Sequence, residues 1–248
     1  MRQPLSPTAP PLAGRPILSQ RWRDLVFLHW RVPVERVAHL VPVGTVPDTH
    51  DGDAWVGLIP FRLLDAAPGR LPGVPWFGSF AETNVRTYSV DGDGRRGVAF
   101  RSLDAQRLAV VLGARAVFAL PYTWARMVAH RDGDVVEYAS RRRWPGPRGA
   151  GGTVRVRLGA PLTQPDPLAT FLTARWGLHT RVRGRLRWVP NEHERWPLHR
   201  AELLHLDDSL VAAAGLEGVV DRPPDSVLAS PGVTSRFGAP VPARELPA

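Results

Sequence analysis

Alternating apolar and polar positions run through most of this chain and predict a protein built chiefly of strands. AWVGLIPFRLL (54–64) is a strand candidate, followed by a Pro/Gly loop that reaches Pro75. Residues 79–90 and 97–103 pair as a hairpin through Asp91-Gly92-Asp93-Gly94. Thr123–His130 and Val135–Arg142 flank the turn at 131–134, and Thr153–Leu158 alternates Val with Arg. His179–Val189, Pro197–Leu206 and Val227–Ser230 extend the series, the first as one continuous strand. RWRDLVFLHW (21–30) fits either a strand or a short amphipathic helix.

Helical spacing is confined to three places. Pro33 to Leu40 places Pro at a helix start, Asp104 to Arg115 puts Leu108, Val111 and Leu112 on one face, and Asp166-Pro167 supplies an N-cap and first turn for a helix to Ala174. Many strands with two or three helices imply an α+β barrel or sandwich. Residues 1–16, with Pro at 4, 7, 10, 11 and 16, read as a flexible arm, and 17–248 as one domain.

The net charge of +9 with a pI near 11.3 raises the question of nucleic acid. All 32 basic residues are Arg, none is Lys, and Asn and Ile occur twice each, the pattern of GC-rich coding DNA. Apart from Arg141-Arg142-Arg143 and the row Arg181, Arg183, Arg185 and Arg187, the arginines are scattered. Nucleic acid is therefore disfavoured as a partner. The absence of Cys removes disulfides, thiolate nucleophiles and Cys-based metal sites, and accords with a reducing cytosol. No stretch of signal-peptide type or of membrane-spanning length stands out, so a cytoplasmic protein without a membrane partner is expected.

Familiar motifs fall away in turn. Gly92 to Gly97 matches the glycine pattern of dinucleotide folds, but Val98-Ala99-Phe100 continues as a strand where that fingerprint needs a helix. Asp48 to Asp53 lacks the remaining ligands of a calcium loop and reads as a polar turn. His193, His199 and His205 have no metal-ligand spacing, so no metal and no cofactor are expected. The row in FAETNVRTY (80–88) remains. In a strand Phe80, Glu82, Asn84, Arg86 and Tyr88 share one face, opposite Ala81, Thr83, Val85 and Thr87. Convergent polar groups between aromatics suit a ligand cavity, in which Glu82 beside a guanidinium would stay ionised. The bland alternative is an exposed Glu–Arg pair worth little to stability.

Trp55-Val56-Gly57-Leu58, the string 80–88, Gly97-Val98-Ala99-Phe100 with Ser102-Leu103-Asp104, and Leu120-Pro121-Tyr122 before Trp124-Ala125 together resemble the uncharacterised YqjF-like family of bacterial proteins, over roughly residues 20 to 240. That family is similar to the acetoacetate decarboxylase superfamily. The resemblance implies a mostly antiparallel, cone-shaped β-barrel around a small-molecule cavity, with a few short helices. Glu82 would match the cavity glutamate of the decarboxylases, Gly113-Ala114-Arg115 departs from their Gly-Arg-Glu, and Pro121-Tyr122-Thr123 stands in place of Pro-Lys-Lys. A Schiff base needs an amine, and this chain offers only its α-amino group, so decarboxylation by that route is excluded.

The resemblance thus implies Glu82 and Tyr122 as catalytic residues, and Asn84, Arg86, Tyr88 and Arg115 as substrate-binding ones. The expected ligand is an oxo-acid or enolisable carbonyl, acted on by a lyase, hydratase or isomerase without Schiff-base chemistry. A non-catalytic small-molecule binding protein is the alternative, and a polyanion binder using Arg181 to Arg187 a weaker third. A homo-oligomer is compatible with each.

Overall fold

The computed structural model describes residues 2–73 and 78–247, so the end of the loop expected to reach Pro75 lies outside the described residues. The chain is mostly strand. In order it forms β1 (Leu18–Val32), α1 (Glu35–Ala38), β2 (Val46–Pro47), β3 (Ala54–Pro68), β4 (Phe80–Val90), β5 (Arg96–Ala105) and α2 (Leu108–Phe118). There follow β6 (Tyr122–Asp132), β7 (Val135–Trp144), β8 (Gly151–Pro161), α3 (Pro167–Thr173), β9 (Gly177–Val182), β10 (Arg185–Glu192), β11 (His199–Asp208), α4 (Leu210–Ala213), β12 (Ser226–Phe237) and β13 (Val241–Pro242). One large sheet contains all of these strands. Its pairings return on themselves: β4 pairs with β3 and β5, β5 also with β6 and β9, and β12 with β1, β10 and β11. Among the described residues only β5 with β6 and β5 with β9 are parallel.

Three adjacent strands are buried on both faces over their central residues, and strict alternation assigns each residue to a side. Val26, Leu28 and Trp30 of β1, Val56 and Leu58 of β3, and Val85 of β4 pack against Val136, Tyr138, Val154 and Val156 of β7 and β8 and against Leu210 and Val211. The intervening residues, Leu25 and Phe27 of β1, Ile59, Phe61 and Leu63 of β3 and Phe80 of β4, belong to a second cluster with Leu103, Tyr122 and Trp196. The stretch at 21–30 is thus a strand, and its unbroken burial from Asp24 to Trp30 reflects two cores rather than one amphipathic helix.

Several expected boundaries move. The helix expected from Asp104 begins at Leu108, because Asp104 and Ala105 remain in β5, paired with Thr83 and Glu82 on one side and with Thr123 and Trp124 on the other. Its inward residues are Val110, Val111 and Ala114, whereas Leu108 and Leu112 are exposed. The single strand expected over His179–Val189 is a hairpin turning at Arg183 and Gly184, both with positive φ. Arg181 lies opposite Leu186, while Arg187 lies opposite Thr180. Since directly paired residues share a face, Arg181 is on the face opposite to Arg185 and Arg187, and the four arginines form no single stripe. The helix capped by Asp166 forms as its sequence suggests, the carboxylate accepting from the Ala169 amide at 2.6 Å.

Residues 2–16 contain no strand or helix and lie against the body: Leu5 packs on the cluster around Tyr88 and Phe171, and Trp176 Nε1 donates to the Ser6 carbonyl. Among the described residues no helix is long and apolar enough to cross a membrane.

Candidate functional site

Alternation along β4 presents Phe80, Glu82, Asn84 and Arg86 to a cavity of about 350 Å³ lined by the sheet. Its walls are mainly apolar, with Phe27, Ile59, Phe61, Phe100, Leu103 and Trp196 among them, and Val110, Ala114 and Phe118 of α2 contribute part of the enclosure. The cross-strand neighbours set the surroundings of each polar residue. Glu82 lies between Phe61 and Ala105, Asn84 between Ile59 and Leu103, and Arg86 between Gly57 and Phe100.

Glu82 is buried, and the Tyr122 hydroxyl donates to its Oε2 at 3.1 Å. Tyr122 reaches it because the start of β6 runs parallel to β5, with Leu103 opposite Tyr122. Burial pushes the Glu82 carboxyl up to about 8, the Tyr122 hydrogen bond pulls the other way, and the Asp104 charge adds to the rise. Glu82 is therefore a neutral carboxylic acid at neutral pH, contrary to the ionised group expected. No carboxylate lies within ion-pair distance of Arg86 among the described residues, so the pairing that would have kept Glu82 ionised is missing. Burial, together with the nearby Glu82, keeps the Tyr122 phenol protonated.

Arg86 leans the other way along the strand. Its Nη2 reaches the Leu172 carbonyl at 3.4 Å, and its guanidinium lies 5.6 Å from the Tyr88 ring centroid and 5.7 Å from that of Phe27. Its Nε and the Oδ1 of Asn84 are buried without a hydrogen-bond partner. Both residues line the cavity, and each of these buried atoms is costly to leave unpaired.

Tyr88 and Arg115 are placed elsewhere. Tyr88 is fully buried behind Arg86, donating to the Leu172 carbonyl at 2.8 Å and bonded to His29 Nε2 at 2.7 Å, under the Phe171 ring. Burial, with Arg86 and Arg175 nearby, holds His29 well below its ordinary range and therefore neutral. Arg115 donates to the Tyr122 backbone carbonyl at 2.8 Å and stacks on Trp144. It props the strand that presents Tyr122 and does not line the cavity.

Residues that sequence reasoning passed over surround this site. Asp104 lies in β5 and is joined to Arg142 by two hydrogen bonds of 2.8 and 2.7 Å. Arg142 is the buried middle member of the arginine run 141–143, and the strand period, which sets it opposite its two neighbours, was the only signal in the sequence. Asp48, expected in a solvated turn, is fully buried between Arg96 and Arg175. Burial alone would push Asp48 up, but those two guanidinium groups hold it below the usual carboxylate range. Arg175 in turn lies 4.4 Å from the Tyr88 ring centroid, which fixes the wall behind Arg86. Among the described residues no three of His, Asp and Glu converge to hold a metal ion.

Removing the Tyr122 hydroxyl tests the pairing directly. Tyr122→Phe is expected to lose about 1 kcal/mol of stability. It should also raise the pH at which the folded protein releases the Glu82 proton, because the hydrogen bond that favours the carboxylate is gone. Carboxyl carbon NMR of glutamate-labelled protein reads that midpoint, and an unmoved signal would show that the two groups are not coupled.

A sequence profile of the family DUF2071, described as uncharacterised conserved proteins, matches residues 19–234. Over 187 residues the chain is 38% identical to the uncharacterised protein YqjF of Bacillus subtilis (strain 168), covering 75% of this chain and 76% of that one. Among solved structures it is similar to an acetoacetate decarboxylase from Legionella pneumophila subsp. pneumophila str. Philadelphia 1, at 13% identity and a TM-score of 0.61, covering 95% and 88% of the two chains. It is also similar to the enduracididine biosynthesis enzyme MppR complexed with pyruvate, at 15% identity and a TM-score of 0.58, covering 95% and 92%. At these identities the likeness to the solved structures is one of fold.

Proposed function

The chain belongs to the DUF2071 family and is a relative of YqjF, and from that premise we propose that it binds a small carboxylate-bearing carbonyl compound inside a cone-shaped β-barrel of the acetoacetate decarboxylase-like type. The observation that carries this reading is the cavity itself. An apolar chamber of about 350 Å³ is lined by Asn84 and by Arg86, which no carboxylate neutralises among the described residues, and by a protonatable carboxyl bonded to a phenol. The pyruvate complex of MppR supports an oxo-acid as the ligand class on this fold.

The chemistry assigned to the site is proton transfer without a Schiff base, since the chain has no Lys. Arg86 and Asn84 hold the carboxylate. Tyr122 donates a hydrogen bond to the carbonyl oxygen as it gains negative charge, and Glu82 gives or takes the proton, its midpoint near 8 placing both forms within reach at physiological pH. Such a pair suits lyase, hydratase and isomerase reactions that pass through an enolate.

A thermal-shift series of oxo-acids and hydroxy-acids tests the binding. An acid at a hundred times its Kd is expected to stabilise the protein by about 2.7 kcal/mol, and Arg86→Ala to abolish that gain at the same concentration. Equal stabilisation of the parent and of Arg86→Ala would remove the carboxylate site. Turnover that disappears in Glu82→Gln while binding persists would establish the enzyme, and binding without turnover in the parent would leave a carrier or sensor.

A further inference from the structure

The two polar positions of the cavity are far apart. Glu82 and Arg86 are separated by four residues of extended strand, about 13 Å between their Cα atoms. Their side chains have different partners: Glu82 is turned to Tyr122, whereas Arg86 donates to the Leu172 carbonyl and lies between the Tyr88 and Phe27 rings. Between them β4 contributes only Asn84, and the flanking cross-strand residues at that level are Ile59 and Leu103. The cavity therefore has a cationic end, an apolar middle and a hydrogen-bonding end. A 2-oxo acid carries its carbonyl next to its carboxylate and cannot occupy both ends at once. It would also fill only a small part of about 350 Å³, which at about 30 Å³ each is room for roughly a dozen waters.

We propose that the ligand is an elongated acid, its carboxylate at Arg86, its body along the level of Asn84, Ile59 and Leu103, and a carbonyl several carbons away at Tyr122 and Glu82. This rests on the carboxylate-binding reading above and narrows it to acids whose reacting carbonyl is remote from the carboxylate. Each methylene buried along the apolar middle should strengthen binding about fourfold. The remote carbonyl adds a hydrogen bond from a buried donor, and the carboxylate a charged one.

Calorimetric titration of the full chain with octanoate, 2-oxooctanoate, 7-oxooctanoate and pyruvate separates the possibilities, with Arg86→Ala and Tyr122→Phe titrated alongside and their folding checked by circular dichroism. The parent is expected to bind 7-oxooctanoate several-fold more tightly than octanoate or 2-oxooctanoate, and far more tightly than pyruvate. Tyr122→Phe should bring 7-oxooctanoate down to the level of octanoate, and Arg86→Ala should weaken every acid by about tenfold or more. If 2-oxooctanoate binds as tightly as 7-oxooctanoate, or Tyr122→Phe weakens both alike, one polar cluster holds both groups: the elongated ligand is then wrong and the carboxylate site stands. If no acid binds, or Arg86→Ala binds them all as the parent does, the carboxylate site falls and the elongated ligand with it.

Discussion

Arg142→Met is expected to lose about 3–5 kcal/mol of folding stability at neutral pH, because it strips the partner from a buried carboxylate. Asp104 has no exposed surface and Arg142 is 4% exposed, so water cannot take over when the guanidinium is removed. The two bonds between them are short and charge-assisted, with Nε and Nη2 each donating to its own carboxylate oxygen. They tie β7 to the end of β5, close behind the strand pair that carries Glu82. Asp104→Asn combined with Arg142→Met should recover a substantial part of the loss, since the burden of the single variant is the stranded charge and not the missing bond alone. Urea unfolding at neutral pH measures all three proteins. A single variant as stable as the parent would mean that Asp104 reaches another cation or water. Asp104→Asn alone should also lower the midpoint of Glu82, from which it removes a neighbouring negative charge.

Stability is expected to fall as pH rises through 8, and Glu82→Gln to abolish most of that fall. Glu82 has its folded pKa raised from 4.5 to about 8. Between those values the folded state keeps a proton that the unfolded chain has released, so the stabilising contribution is complete below 4.5 and is lost as pH climbs through the folded value. At about 1.4 kcal/mol per pH unit the whole loss is on the order of 3–5 kcal/mol.

Other groups act at lower pH. Asp208, raised by burial to about 6, adds to the same trend, whereas His193, lowered by burial to about 4, opposes it by making the folded state gain stability as pH rises. The buried histidines are still half protonated near pH 6.5 in the unfolded chain, and they oppose the trend equally in the parent and in Glu82→Gln. The difference between the two proteins in denaturant unfolding from pH 6.5 to 8.5 therefore isolates Glu82, and roughly 2 kcal/mol of its effect falls there. Parallel slopes for the parent and Glu82→Gln would show that the folded protein does not hold this proton.

Much of the strand architecture is legible along the chain because the strand period is local. The turn at Asp91–Gly94, the capped helix after Asp166 and the paired segments at 123–142 all follow from neighbours within a few residues. Failures came where a local pattern had two readings. Asp104 and Ala105 continue a strand because two partner strands claim their backbone, which outweighs the helical spacing that begins beside them. The arginines from 181 to 187 alternate as one strand would, until a positive φ at Arg183 and Gly184 folds them into a hairpin.

The sequence by itself determined that Phe80, Glu82, Asn84 and Arg86 share a face, because side-chain direction in an extended backbone has a period of two wherever the strand is placed. It also determined that no lysine is available to form a Schiff base. Only the tertiary structure decided that this face lines a chamber rather than meeting water, that Tyr122 arrives beside Glu82 from a strand forty residues on, and that Tyr88, on the same face, is sealed behind Arg86 by Phe171 and Leu172. Those outcomes depend on which strands pair and which segments cover them, and so does the protonation of Glu82: a carboxyl keeps its ordinary pKa in water and loses its charge when the surrounding fold takes the water away.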